Sequence, residues 1–115
     1  MHEISLVRNI FRTLENEFPK EALDRMTAIN LRVGLLSNVE PILMNNAFEA
    51  VTTVDSPQYK SVKLNIEVLP IDILCDACGS RTRVEQYRFI CTCGKPSNHI
   101  VQGNELLISG VEFET

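Results

Sequence analysis

Between Ile4 and Phe18 the apolar residues Leu6, Val7, Ile10, Phe11, Leu14 and Phe18 recur every three or four positions, with Arg8, Arg12, Glu15 and Glu17 between them. That spacing gathers one apolar stripe on a helix. Pro19 lacks a backbone donor and restricts the residue before it, so the helix is expected to stop near Glu17 or Phe18. From Thr27 to Leu35 the period changes to two. Thr27, Ile29, Leu31, Val33 and Leu35 then share the buried face of a predicted strand, and Ala28, Asn30, Arg32 and Gly34 the other. A second helix is expected from about Glu40 to Val54, with Ser37 or Asn38 as its N-cap and Pro41 in its first turn, where a missing N–H is tolerated. Its apolar side would carry Leu43, Met44, Ala47, Phe48, Ala50, Val51 and Val54.

Asp55, Ser56 and Pro57 read as a turn, after which Val62, Leu64, Ile66 and Val68 alternate with Lys63, Asn65 and Glu67 as a second strand. A third strand from Glu105 to Glu114 begins its apolar set on Leu106 and Ile108 and continues it on Val111 and Phe113. A β-bulge at Ser109-Gly110 would absorb that change of parity. A lone last strand would leave its backbone groups and apolar face unpaired, so it must return to the first two. The pattern therefore predicts an α+β fold of two helices packed on a three-stranded sheet. Residues 1–69 and 101–115 build that domain, and residues 70–100 are inserted into it as a zinc-ribbon-like module.

Composition narrows the chemistry. A chain of 115 residues that is 44% hydrophobic and 23% charged can bury a core of its own and does not have the make-up of a disordered segment. A net charge of -4 argues against a general nucleic-acid role, because phosphate contacts need clustered Lys and Arg. No apolar run approaches the roughly 20 residues that span a bilayer, and Glu3, Arg8, Asn9 and Arg12 interrupt any leader-like stretch, so a cytoplasmic protein is expected. All four cysteines fall between Cys75 and Cys93. In a reducing compartment such clustering favours a metal site over disulfides that staple distant segments.

The cysteines form two short turns, Cys75-x-x-Cys78-Gly79 and Cys91-x-Cys93-Gly94. A tight turn aims two thiolates at one cation, glycine accepts the positive φ the turn needs, and two such turns close a tetrahedral shell. Val84, Tyr87 and Phe89 would supply the strands of the intervening hairpin. Four thiolates leave no open position, so a zinc ion held there would be structural. Two other readings stay open. A redox pair at Cys75 and Cys78 would want a helix N-terminus behind it, which Gly79-Ser80-Arg81-Thr82-Arg83 does not offer. A zinc-ribbon adaptor for protein or nucleic acid would use Arg81, Arg83, Arg88 and Lys95. His99 reads as exposed or structural.

The chain begins Met1-His2-Glu3. An α-amine, the amide nitrogen of residue 2 and the imidazole of a histidine at position 2 can surround one ion in fused chelate rings. Square-planar nitrogen sets of this kind select Ni(II) or Cu(II). An unperturbed imidazole titrates near about 6.5, so such a site weakens as pH falls. Glu3 could orient the imidazole, add a ligand, or simply complement the positive end of the first helix. The residues alone leave this reading beside the plainer one of an exposed helix start.

Met1-His2-Glu3 with Ser5-Leu6, Val39-Glu40-Pro41, the paired cysteine turns and Gly103-Asn104-Glu105-Leu106 together resemble the HypA/HybF family of hydrogenase nickel-insertion accessory proteins. The resemblance covers essentially the whole chain. It implies a cytoplasmic metallochaperone and not an enzyme, with Ni(II) as cargo on Met1, His2 and Glu3 and structural Zn(II) on Cys75, Cys78, Cys91 and Cys93. It implies as partners a hydrogenase maturation GTPase, the [NiFe]-hydrogenase large-subunit precursor and, in some members, urease accessory proteins, with no nucleic acid and no membrane. One departure stands out: the family commonly has two residues between the second pair of cysteines, and Cys91-Thr92-Cys93 has one. That bears on the zinc geometry.

Overall fold

The computed structural model describes residues 3–115. Helix α1 spans Glu3–Glu17 and buries Val7, Ile10, Phe11 and Leu14 of the stripe that its spacing predicts, while Leu6 and Phe18 are half-buried. The Phe18 N–H still donates to the Leu14 carbonyl before Pro19 ends the helix. Pro19 then opens a second, four-residue helix, α2 (Lys20–Leu23), that the apolar pattern does not announce; the N–H groups of Ala22 and Leu23 both donate to the Pro19 carbonyl. Strand β1 (Met26–Gly34) buries Ala28, Ile29, Leu31 and Val33, whereas Thr27 and Leu35 are exposed. The face predicted for β1 thus holds only from Ile29 to Val33. Thr27 instead turns its hydroxyl to the Glu112 carbonyl, and Ala28 and Gly34 of the opposite face are also covered.

Helix α3 (Pro41–Ala50) has Glu40 at its N-cap and no side-chain cap, so neither Ser37 nor Asn38 caps it. The Ser37 amide and hydroxyl both donate to the Gly34 carbonyl, closing the turn that leaves β1, and Asn38 adopts φ 63°. Past Ala50 the helix widens into a π turn, Val51–Asp55. That widening rotates the residues beyond it away from α-helical register. Thr52 is thereby buried, with its hydroxyl donating to the Phe48 carbonyl, while Val54 is 76% exposed. The apolar side predicted for α3 is correspondingly narrower in fact: Met44, Ala47, Phe48 and Val51 are buried, and Leu43 and Ala50 are not.

A 3-10 turn, Pro57–Tyr59, leads to β2 (Lys63–Leu69), and β6 (Leu106–Phe113) closes the chain. These join β1 in a three-stranded sheet of order β2-β1-β6, the sheet that the alternating segments predict. Along β6, Ile108 and Gly110 are half-buried, and so are Val111 and Phe113; the alternation changes parity between Gly110 and Val111.

The described residues fall into two compact units. The first takes the chain up to Leu31, Val39–Glu67 and Ile108–Thr115. At its centre Phe11 stacks on Tyr59, with ring centroids 4.5 Å apart, and on Phe48 at 5.5 Å. The second takes Arg32–Asn38 and Val68–Leu107. It holds a small sheet of order β4-β3-β5, built from β3 (Asp72–Leu74), β4 (Arg81–Arg83) and β5 (Ile100–Gln102), with both pairings antiparallel. Its core is Ile71, Ile73 and Val84, packed with Leu36, Phe89 and Ile100. Tyr87 corrects the expected hairpin. Gln86 and Tyr87 both have positive φ and form the two-residue turn between the bridged Glu85 and Arg88, so Tyr87 is at the tip, 64% exposed, and not in a strand. Among the described residues no helix is long and apolar enough to cross a membrane.

Candidate metal centre

In the second unit the two cysteine turns face one another. In the first, the Cys75 carbonyl accepts the Gly79 N–H at 2.8 Å and the Cys75 N–H reaches the Ser80 carbonyl at 2.9 Å. In the second, the Cys91 carbonyl accepts the Gly94 N–H and the Cys91 N–H reaches the Lys95 carbonyl, both at 2.9 Å. The second turn repeats the first with one residue fewer. Gly79 and Gly94 take φ of 76° and 93°, the left-handed region that an L side chain resists. The missing residue in Cys91-Thr92-Cys93 is therefore absorbed by the tighter closure of the loop.

The four sulfurs all lie within 4.8 Å of one another. Cys75 and Cys93 Sγ are 3.7 Å apart, Cys78 and Cys91 Sγ 3.4 Å. A tetrahedron with zinc–sulfur bonds of about 2.3 Å has edges of about 3.8 Å, so the donor set matches a closed thiolate shell in both chemistry and size. Each turn supplies one buried sulfur, Cys75 or Cys91, and one exposed one, Cys78 or Cys93. None of the four is in a disulfide.

The surroundings favour thiolate at particular atoms. Cys91 is drawn down to about 6, first by the Cys93 backbone N–H at 3.5 Å and then by the Thr82 hydroxyl at 3.7 Å. Cys78 is lowered by the side chain and backbone of Ser80. At Cys93 the Lys95 backbone pulls downward, but the thiol of Cys91, burial and the thiols of Cys75 and Cys78 outweigh it, and the group stands at about 11. Four sulfurs at these distances cannot all carry charge without a cation between them.

Thr82 and Asp72 are contributors that the spacing of the cysteines does not single out. On β4, Arg81 and Arg83 turn to one side and both bond the buried Asp72 carboxylate, whose pKa the Arg83 guanidinium and then that of Arg81 hold down against the cost of burial. Thr82, between them, turns to the other side and meets Cys91. The alternation Arg81-Thr82-Arg83 was the available signal: with both arginines on one face of a strand, the threonine had to point the opposite way. His99 is exposed, with Nδ1 3.4 Å from the Asp76 carboxylate.

Met1 and His2, on which the nickel reading turns, lie outside the described residues. Glu3 is the first residue of α1 and lines an open groove with Ile4 and Ser5 of that helix and Leu43, Ala47 and Ala50 of α3.

Three comparisons bear on this arrangement. The family model described as "Hydrogenase/urease nickel incorporation, metallochaperone, hypA" matches residues 1–113. The hydrogenase maturation factor HypA of Shewanella baltica (strain OS185) is 30% identical over 115 residues, covering 99% of this chain and 97% of that protein. The factor of the same name from Desulfatibacillum aliphaticivorans is 33% identical over 114 residues, covering 97% of this chain and 86% of the other. In fold, the chain is similar to the solution structure of the Ni metallochaperone HypA from Helicobacter pylori. The TM-score is 0.66 at 22% identity, with 98% of this chain and 97% of that one covered.

Proposed function

The chain belongs to the HypA family of hydrogenase and urease nickel-incorporation proteins, and on that premise we propose that it is a nickel metallochaperone serving [NiFe]-hydrogenase maturation, with urease as a second destination. The supporting observation is a family match that runs from residue 1 to residue 113 and so includes both the Met1-His2-Glu3 start and all four cysteines. Residues 1–69 with 101–115 handle nickel, and residues 70–100 hold zinc. Ni(II) is bound as cargo by the terminal amine of Met1 and by the amide and imidazole nitrogens of His2, with Glu3 in support; nitrogen donors in a plane suit this ion better than zinc. Because the imidazole must be neutral to bind, release is favoured by acid.

Zinc would be held by Cys75, Cys78, Cys91 and Cys93, where it supplies folding free energy through a closed shell. The role of the chain is binding and transfer, not catalysis. It works in the cytoplasm with a maturation GTPase and the hydrogenase large-subunit precursor, and with urease accessory proteins where urease is served. The adaptor reading gains less support, since two of the arginines it relies on, Arg81 and Arg83, are committed to Asp72.

Nickel titration of the untagged chain, with elemental analysis, tests the proposal. His2→Ala should abolish nickel binding and leave zinc content unchanged, whereas Cys75→Ala should lower zinc stoichiometry. Unaltered nickel affinity in the His2→Ala variant would end the nickel assignment, and unaltered zinc in the Cys75→Ala variant the zinc one.

A further inference from the structure

The four sulfur ligands are not equally covered. Cys75 and Cys91 are each only 2% exposed, whereas Cys78 and Cys93 are open to solvent. Two sulfur contacts cross from one turn to the other, Cys78 to Cys91 at 3.4 Å and Cys75 to Cys93 at 3.7 Å. Each contact therefore joins an exposed sulfur to a buried sulfur of the opposite turn. A disulfide bond is about 2.05 Å long, so each pair has to close by about 1.5 Å, which is within reach of side-chain rotation. The two pairs are nested, 13 and 18 positions apart in sequence, with β4 and the Glu85–Arg88 turn between them. Bonds across these pairs would hold the two turns together, as a closed thiolate shell does, and each closes a loop long enough to restrain the unfolded chain. Bonds inside a turn, Cys75 with Cys78 or Cys91 with Cys93, would leave the turns free to separate.

We infer that this cluster is a peroxide-sensitive switch: a hydroperoxide oxidises it to the cross-turn disulfides Cys78–Cys91 and Cys75–Cys93, and its zinc is released while the module stays folded. The inference rests on the zinc reading of the four cysteines. In each pair the exposed sulfur attacks one peroxide oxygen. The S–O bond forms, the O–O bond breaks, and the departing hydroxide takes up a proton and leaves as water. The buried sulfur then attacks its oxidised partner. The S–S bond forms, the S–O bond breaks, and the second oxygen leaves in the same way as water. Two electrons pass from each pair of sulfurs to one hydrogen peroxide. Four thiolates, two peroxides and four protons thus give two disulfides and four waters, and the cation leaves with its charge unchanged. Disulfide sulfurs carry no charge and do not replace thiolates as ligands. A dithiol reductant restores the thiolates by exchange.

The test treats the untagged, zinc-loaded chain with hydrogen peroxide. Zinc is followed with a chromogenic chelator, the disulfides by tandem mass spectrometry, and the fold by the NMR signals of Ile73 and Val84, in the core of the second unit. About two peroxides per chain should release about one zinc and give the pairs Cys78–Cys91 and Cys75–Cys93. The Ile73 and Val84 signals should stay dispersed in the oxidised chain and collapse in a reduced chain stripped of zinc by a chelator. Dithiothreitol with added zinc should restore the starting zinc content. Any other pairing, disulfides between two chains, sulfinic acid at Cys78 or Cys93 in place of a disulfide, zinc retained after oxidation, or collapse of the Ile73 and Val84 signals on oxidation would overturn the switch. Zinc content measured before peroxide is added separates the two ideas. A chain without zinc at that point refutes the zinc reading and the switch together, whereas a zinc-loaded chain that gives one of the contrary outcomes refutes the switch alone.

Discussion

Gly34→Ala should destabilise this protein more than its single added methyl group suggests. The Gly34 N–H donates to the Glu105 carbonyl at 2.7 Å, and the Leu36 N–H donates to the Gly103 carbonyl, also at 2.7 Å. The end of β1 is thus tied to the 103–105 segment on both sides of Gly34. A Cβ at position 34 would lie 2.0 Å from the Gly103 oxygen, 2.2 Å from its carbonyl carbon and 2.8 Å from the Asn104 nitrogen. Ordinary carbon contacts are about 3.5 Å or more, so the backbones must part by well over 1 Å. These are main-chain atoms, and no side-chain rotation relieves the clash. Separation loses two hydrogen bonds, at about 1 kcal/mol each, and forced overpacking adds about 2 kcal/mol. The expected loss is about 4 kcal/mol. For a chain of this length that lowers the melting temperature by on the order of 15 °C. Thermal unfolding of the zinc-loaded protein by circular dichroism reads it out. Gly110→Ala is the control, because its Cβ would meet only the Asn30 amide nitrogen, at an ordinary 3.8 Å; stability there should hold or rise by about 0.5 kcal/mol. A Gly34→Ala melting point within about 3 °C of the parent, or an equal fall in Gly110→Ala, would refute the steric argument.

Thr82→Val keeps the shape of the side chain but removes the hydroxyl that faces Cys91 Sγ; zinc affinity in a chelator competition should drop about tenfold, and an unchanged value would show that the hydroxyl does not support the sulfur. Tyr59 is pushed up to about 12 by burial and by its hydrogen bond to Glu15, so ultraviolet titration should show a tyrosine with that midpoint, and Glu15→Gln should bring it down; no movement would place the cause in burial alone. Asp72 has its carboxyl held below the usual range, chiefly by Arg83. A depressed folded value means that its contribution is present above the unfolded pKa of about 3.9 and is lost as pH falls through the folded one. Urea midpoints of the zinc-loaded protein should therefore drop between about pH 5 and pH 3, and the drop should be smaller in Asp72→Asn; equal drops would remove Asp72 as a source of acid sensitivity.

The elements with enough residues to show a period were legible in the sequence. Fifteen residues of α1 repeat the apolar stripe four times over, and Val7, Ile10, Phe11 and Leu14, four of the six residues the spacing picks out, are buried, with Leu6 and Phe18 half-buried. The three long strands likewise announced themselves by alternation and meet in one sheet. What escaped was local. Helix α2 has four residues, about one turn, too few for any period to appear. The π turn at Val51–Asp55 breaks the 3.6-residue repeat on which the face of α3 was reasoned, which is why Thr52 is buried and Val54 is not. Gln86 and Tyr87 make a turn that usually calls for Asn or Gly, so nothing in their chemistry marked them as its centre. The sulfur cluster was readable because cysteine, glycine and their spacing state the geometry outright. Its supports, Thr82 and the Asp72 clamp, depend on which way β4 faces, and three residues without hydrophobic contrast do not say.

The segments that carry the family resemblance divide by the kind of physics they contain. Gly103-Asn104-Glu105 is a packing device. Gly103 has φ 127°, a Cβ there would meet Ile71 at 3.1 Å, and its N–H donates to the Glu105 carboxylate at 2.7 Å while the Glu105 carbonyl accepts from Gly34. A segment bound this tightly on three sides is held by its neighbours, and substitutions in it act on stability. Met1-His2 is the opposite kind. The donors proposed for it are the terminal amine, an amide nitrogen and an imidazole, and the chemistry that the nickel proposal asks of them belongs to the groups themselves. The cysteine turns lie between these extremes, with backbone geometry set by Gly79 and Gly94 and ligand chemistry set by sulfur. Loss of nickel binding with the melting point intact is thus the signature expected of the first two residues, and loss of the melting point with nickel ligands intact that of 103–105; cysteine variants should lose zinc and melting point together, because in the proposed zinc site the ion and the fold share the same four atoms.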